Sequence, residues 1–115
     1  MLTLSEPSLL TLQAKLFRGL ADPSRLALLH ALRSEPLTVG RLSDVTGLTQ
    51  SNTSNHLACL LECGLVHRTQ AGKFAVYSLS SDHVAALLDM ADVVLSDVAD
   101  GIAACLRYPG KEGAN

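Results

Sequence analysis

The stretch Thr49-Gln50-Ser51-Asn52-Thr53-Ser54-Asn55-His56-Leu57-Ala58-Cys59-Leu60-Leu61-Glu62-Cys63-Gly64 decides how this chain is read. Thr49 suits a helix N-cap, where a hydroxyl accepts a hydrogen bond from an otherwise unpaired N–H. Gly64 suits the left-handed residue that ends a helix. The segment is therefore expected to be one helix, polar in its first half and rich in leucine in its second. Cys59 and Cys63 stand four residues apart within it. On a helix that spacing puts two side chains on one face, with Cβ atoms roughly 5–6 Å apart. Two sulfurs so placed can reach one large, soft ion.

Upstream, Thr38 can cap a short helix with Val39, Leu42 and Val45 as its apolar stripe, stopped by Gly47, and Leu48 is expected in a buried turn. Asp22-Pro23 opens an earlier helix carrying Leu26, Leu28, Leu29, Ala31 and Leu32, and Ser34-Glu35-Pro36 ends it. Ser5-Glu6-Pro7 opens the first, with Leu9, Leu12, Leu16, Phe17 and Leu20 at helical spacing. Downstream, Val66–Thr69 and Phe74–Leu79 are β-prone runs around Gln70-Ala71-Gly72-Lys73, which reads as a hairpin turn. Ser80 or Ser81 caps a long last helix with Val84, Leu87, Leu88, Ala91, Val94, Leu95, Val98 and Ile102. The order α-α-α-α-β-β-α, mainly α with a small β-hairpin, is that of a winged helix-turn-helix. The first and last helices carry more apolar surface than so small a core needs, which predicts pairing with a second copy.

The chain has 115 residues, 9 Lys and Arg against 11 Asp and Glu, a formal net charge of −2, three cysteines and no Trp. That length predicts one domain, taken as residues 1–108, followed by a polar, flexible tail at 109–115. No apolar run approaches the length a bilayer requires, and the N-terminus lacks the pattern of a signal peptide. A soluble, cytoplasmic protein is expected, with its odd number of cysteines reduced. The slight negative charge argues against strong non-specific nucleic-acid binding. Its distribution argues the other way for the middle of the chain. Asp82, Asp89, Asp92, Asp97 and Asp100 gather late, whereas between Thr49 and Leu79 the only carboxylate is Glu62. No nucleophile–base pair, phosphate-cradling Gly-rich loop or usefully spaced pair of carboxylates is present, so the chain is not read as an enzyme and no small organic substrate is expected.

Leu20-Ala21-Asp22-Pro23-Ser24-Arg25-Leu26-Ala27-Leu28-Leu29, Gln50 through Leu57, and the Arg68–Leu79 wing with its Gly72-Lys73 turn together resemble the ArsR/SmtB metal-sensing repressors, across roughly Leu16 to Val94. The resemblance implies a homodimer that binds operator DNA and lets go when a metal binds. The early cysteine motif of the family's arsenic sensors has no counterpart here. Of the His and carboxylate site on the last helix of other members, His83 and Asp97 match, but Ser81 and Val94 occupy the remaining positions. The run His56 through Val66 resembles the CmtR-type cadmium and lead sensors. That likeness implies Cys59 and Cys63 as ligands, joined by Cys105 from near the C-terminus. Spacing alone leaves Cys105 equally suited to a dimer core, and a lone cysteine is usually a small apolar residue.

Thiolates select soft and borderline ions. Three fit Pb(II) or trigonal As(III), and Cd(II) with an added oxygen; Zn(II) usually takes four ligands. Cd(II) or Pb(II) is the expected effector, with As(III), Hg(II) and Zn(II) behind them. A thiol-based redox sensor is the alternative, although a helical i, i+4 pair closes a disulfide only with local unwinding. For DNA, Thr49, Gln50, Ser51, Asn52, Ser54, Asn55 and His56 cover the turns that enter a major groove in helix-turn-helix docking. Arg41, Arg68 and Lys73 are expected on phosphates, where they position the protein without reading sequence.

Overall fold

The computed structural model describes residues 6–99 and 101. Its elements run α1 (Glu6–Leu20), α2 (Pro23–Ala31), β1 (Leu37–Thr38), α3 (Val39–Thr46), α4 (Gln50–Glu62), β2 (Val66–Ala71), β3 (Phe74–Leu79) and α5 (Asp82–Asp97). Local chemistry sets most boundaries. The Asp22 carboxylate accepts from Arg25 N–H at 3.0 Å to cap α2. Thr38 and Thr49 do the same for α3 and α4, accepting from Arg41 and Asn52 N–H at 3.2 and 3.1 Å. Ser81, rather than Ser80, caps α5 by accepting from His83 N–H at 3.2 Å. The α1 cap expected at Ser5 lies outside the described residues, as does the expected tail at 109–115.

α4 ends in a Schellman motif. Leu65 N–H donates to Leu60 O and Gly64 N–H to Leu61 O, both at 3.0 Å, with Gly64 at φ +79°. That pairing consumes helix-end carbonyls, and Leu60 and Leu65 are both buried. The turn between α3 and α4 is tied by side chains. Ser43 Oγ donates to Leu48 O at 2.5 Å and Thr46 Oγ1 to Leu42 O at 2.6 Å. Leu48 itself is half-buried.

The sheet differs from the expected hairpin in two ways. β2 and β3 pair from Val66↔Leu79 to Ala71↔Phe74, so Gln70 and Ala71 belong to the ladder and the loop is only Gly72-Lys73. Gly72, at φ +63°, takes the positive φ that a two-residue hairpin loop needs at its first position. A third strand, β1, pairs antiparallel with β3 through Leu37↔Tyr77 and Thr38↔Val76, giving the order β1-β3-β2. Thr38 is already extended as an N-cap (ψ 166°), so β3 has only to pass beside it.

The described residues divide into two compact units, with the boundary between Ala85 and Ala86. In the first, Leu28, Leu29, Leu42, Leu57 and Leu60 are fully buried. Each comes from one of the three helices α2, α3 and α4, which makes the helix-turn-helix its own core. On α1, Leu10, Leu12 and Phe17 are at least half exposed. In the second unit Met90, Val93, Val94, Leu95 and Val98 are exposed apolar side chains. No helix among the described residues is long and apolar enough to cross a membrane.

Candidate nucleic-acid interface and metal centre

α4 sorts its side chains by helical period. Thr53, Leu57 and Leu60, at i, i+4 and i+7, are fully buried, and Thr53 Oγ1 donates to Thr49 O at 2.7 Å. Gln50, Ser51, Asn52, Ser54 and Asn55 are all exposed, so their amides and hydroxyls are free to meet base edges and phosphates. Thr49 is exposed but committed as the cap, accepting from Asn52 N–H; its hydroxyl proton remains available.

His56 stands apart from its neighbours. Its ring is 26% exposed and its Nδ1 lies 4.0 Å from Asp22 Oδ2. The imidazole thus leans on the cap of α2, with part of its ring still open to solvent. Arg25 N–H, foremost, holds the Asp22 carboxyl below the usual carboxylate range; partial desolvation opposes this, while the charges of Arg25 and His56 and the N–H of Ser24 assist.

Arg41 on α3, Arg68 on β2 and Lys73 at the wing tip are exposed. The fold brings Lys73 and Gln50 to one cleft of about 310 Å³, walled also by Thr38, Val39, Gly40, Phe74 and Ala75. Phe74, a strand former by residue type, opens β3 and also walls this cleft. It is 58% exposed, and Lys73 Nζ sits 5.8 Å from its ring centroid. The available signal was an aromatic next to the Gly-Lys turn in a chain with only two Phe and two Tyr.

Cys59 and Cys63 are both free thiols and half-buried. Cys63 caps the C-terminus of α4, its N–H donating to Cys59 O at 3.0 Å. Its thiol points to the last turns of α1 and donates to Lys15 O at 3.7 Å. Burial pushes the Cys63 thiol up from its ordinary range, and the neighbouring Cys59 pushes the same way; the Lys15 ammonium opposes them. The donor chemistry suits a soft cation. Among the described residues no group of three or more His, Cys, Asp or Glu side chains is placed to hold a metal ion. Cys105, the expected third sulfur, lies outside the described residues.

Comparison with known proteins gives a consistent picture. Residues 22–68 match the family described as "Bacterial regulatory protein, arsR family". The chain is 46% identical over 84 residues to the HTH-type transcriptional regulator CmtR of Mycobacterium tuberculosis, covering 72% of this chain and 71% of that protein. It is 37% identical over 98 residues to a probable mercury resistance operon repressor of Streptomyces lividans, covering 85% and 78%. Among solved structures it is similar to a homodimeric winged helix-turn-helix DNA-binding domain of Mycobacterium bovis, a possible ArsR-family regulator, with a TM-score of 0.75 and 28% identity over 86% of this chain and 93% of that one.

Proposed function

This chain belongs to the bacterial arsR family of regulatory proteins, and from that premise we propose that it is a cytoplasmic, homodimeric repressor that leaves its operator when a soft heavy-metal ion binds Cys59 and Cys63. It is a DNA-binding transcriptional regulator related to metal sensors, not an enzyme. The observation that carries the finer reading is the pair of neighbouring, half-buried free thiols at the far end of the helix whose first turns expose Gln50, Ser51, Asn52, Ser54 and Asn55. An ion there acts on the DNA-reading element itself.

Residues 1–108 serve as one DNA-binding and dimerising domain in this reading. The exposed apolar faces of α1 and α5 supply surface for the second copy, and a two-fold protein meets a two-fold operator. Thr49, Gln50, Ser51, Asn52, Ser54 and Asn55 read or line the groove, His56 orients the helix from Asp22, and Arg41, Arg68 and Lys73 hold phosphates. Cd(II) or Pb(II) is the first effector to test, with Cys105 as third sulfur. The mercury operon repressor among the relatives supports including Hg(II), with As(III) and Zn(II) as comparators.

Metal and DNA are linked reciprocally, by a coupling typically of about 1–3 kcal/mol. Operator binding followed by fluorescence anisotropy tests the reading. Cys59→Ser and Cys63→Ser should bind operator normally and remain bound when Cd(II) or Pb(II) is added. Metal-driven release retained by both variants would overturn it. Release by an oxidant without metal would instead favour the thiol-redox alternative.

A further inference from the structure

We infer that Gly19, in the last turn of α1, is a positioning residue for the thiol pair: its missing side chain forms the notch that holds the Cys63 sulfur beside Cys59. The inference rests on the reading of Cys63 as a metal ligand.

Gly19 is buried inside a helix, where glycine is disfavoured. Backbone freedom is not the reason for it, because the positive-φ glycines are Gly47, Gly64 and Gly72. Space is the reason. A Cβ at Gly19 would stand 3.0 Å from Cys63 Sγ, 3.2 Å from Cys63 Cβ and 3.2 Å from Leu65 Cδ1. Carbon contacts settle nearer about 3.5–4.0 Å.

The surroundings leave little room to yield. Leu65 is 2% exposed and belongs to the Schellman motif that closes α4. The Cys63 backbone is held by its bond to Cys59 O. On the other side, Arg25 clamps the end of α1, with Nε donating to Gly19 O at 2.9 Å and Nη2 to Arg18 O at 2.8 Å. Rotation of the Cys63 side chain relieves only the Sγ contact; the Cys63 Cβ contact is relieved only if α1 and the end of α4 part by a few tenths of an ångström. Either response disturbs the Cys63 thiol, whose bond to Lys15 O is set by its present position against α1. The notch therefore preorganises the Cys63 sulfur one helical turn from Cys59.

Gly19→Ala tests this, with wild type and Cys63→Ser as references. Supporting residues around a metal site typically change affinity about 10–100-fold, so Cd(II) affinity should fall at least about tenfold in Gly19→Ala, with a weakened sulfur-to-cadmium charge-transfer band. In the metal-free protein, iodoacetamide should alkylate Cys63 faster than in wild type, as located by mass spectrometry. Operator affinity should stay unchanged.

Wild-type band, affinity and alkylation rate in Gly19→Ala, alongside weak binding by Cys63→Ser, would overturn this inference alone. Wild-type binding by Cys63→Ser would overturn the ligand reading and this inference with it. If Gly19→Ala fails to fold, the substitution is repeated in a Cys63→Ala background. Recovery of the helical circular dichroism there supports the sulfur contact, and an equal loss overturns it.

Discussion

Metal binding at Cys59 and Cys63 should release protons, and their number is a direct test of which sulfurs take part. A thiol must lose its proton to become a thiolate ligand. Below the thiol pKa, each proton displaced changes the affinity about tenfold per pH unit, or about 1.4 kcal/mol. The two neighbouring thiols therefore predict a rise of about 100-fold per pH unit, and participation of Cys105 raises this to about 1000-fold. The direction at Cys63 extends the effect. Its folded-state pKa is raised by burial and by Cys59, so its proton remains to be displaced at pH values where an unperturbed thiol has already begun to ionise. The affinity should keep climbing through the ordinary thiol range before it levels.

The assay is competition for Cd(II) against a chelator of known proton affinity, from about pH 6 to 8, where thiols are still mainly protonated. Cys63→Ser should lower the slope of log affinity against pH by one. A wild-type slope of one or less, or a Cys63→Ser slope equal to that of wild type, would refute the assignment of both sulfurs.

Thr53→Ala should destabilise the protein by about 1–2 kcal/mol in urea unfolding, because it removes a buried methyl and the bond to Thr49 O. Thr53→Ser keeps the bond and should lose less; equal losses would contradict the role given to the hydroxyl. Lys73→Ala should reduce the slope of log operator affinity against log salt by about one, as expected for one lost phosphate contact. Phe74→Ala should weaken operator binding with that slope preserved, and unchanged binding would remove Phe74 from the interface. Asp22 has a depressed pKa, so the folded state binds fewer protons than the unfolded one. The stability it contributes is present above the ordinary carboxylate range and is lost as pH falls through the folded value. Asp22→Asn should flatten that part of an acid-denaturation curve; an identical acid limb in wild type and variant would show that the cap does not titrate as described.

Element boundaries were legible wherever one residue's chemistry closes a helix end within three or four positions. Asp22, Thr38 and Thr49 each pair with an N–H three residues on, and Gly47 and Gly64 take left-handed backbone after α3 and α4. The exposed polar run on α4 was likewise legible from composition. Which of its side chains lean on a neighbouring element was not. Residue type alone grouped His56 with Ser54 and Asn55, and only the approach of α2 shows that its ring faces Asp22. Phe74 was hidden in a similar way, since a strand former and an exposed wing-tip aromatic are the same letter until the cleft around Gly40, Gln50 and Lys73 exists.

The helical order, the wing and the same-face placement of Cys59 and Cys63 were readable from the sequence, because they depend on periodicity and short-range hydrogen bonds, while the family resemblance rests on the particular motifs from Leu20 to Leu79. Tertiary structure alone decided that Leu37 and Thr38 form a third strand, since pairing needs a partner 38 or more positions away in the chain. It also decided that the Cys63 sulfur meets Lys15 O and fits against Gly19. Those contacts join residues more than forty positions apart, and no local spacing rule can bring them together.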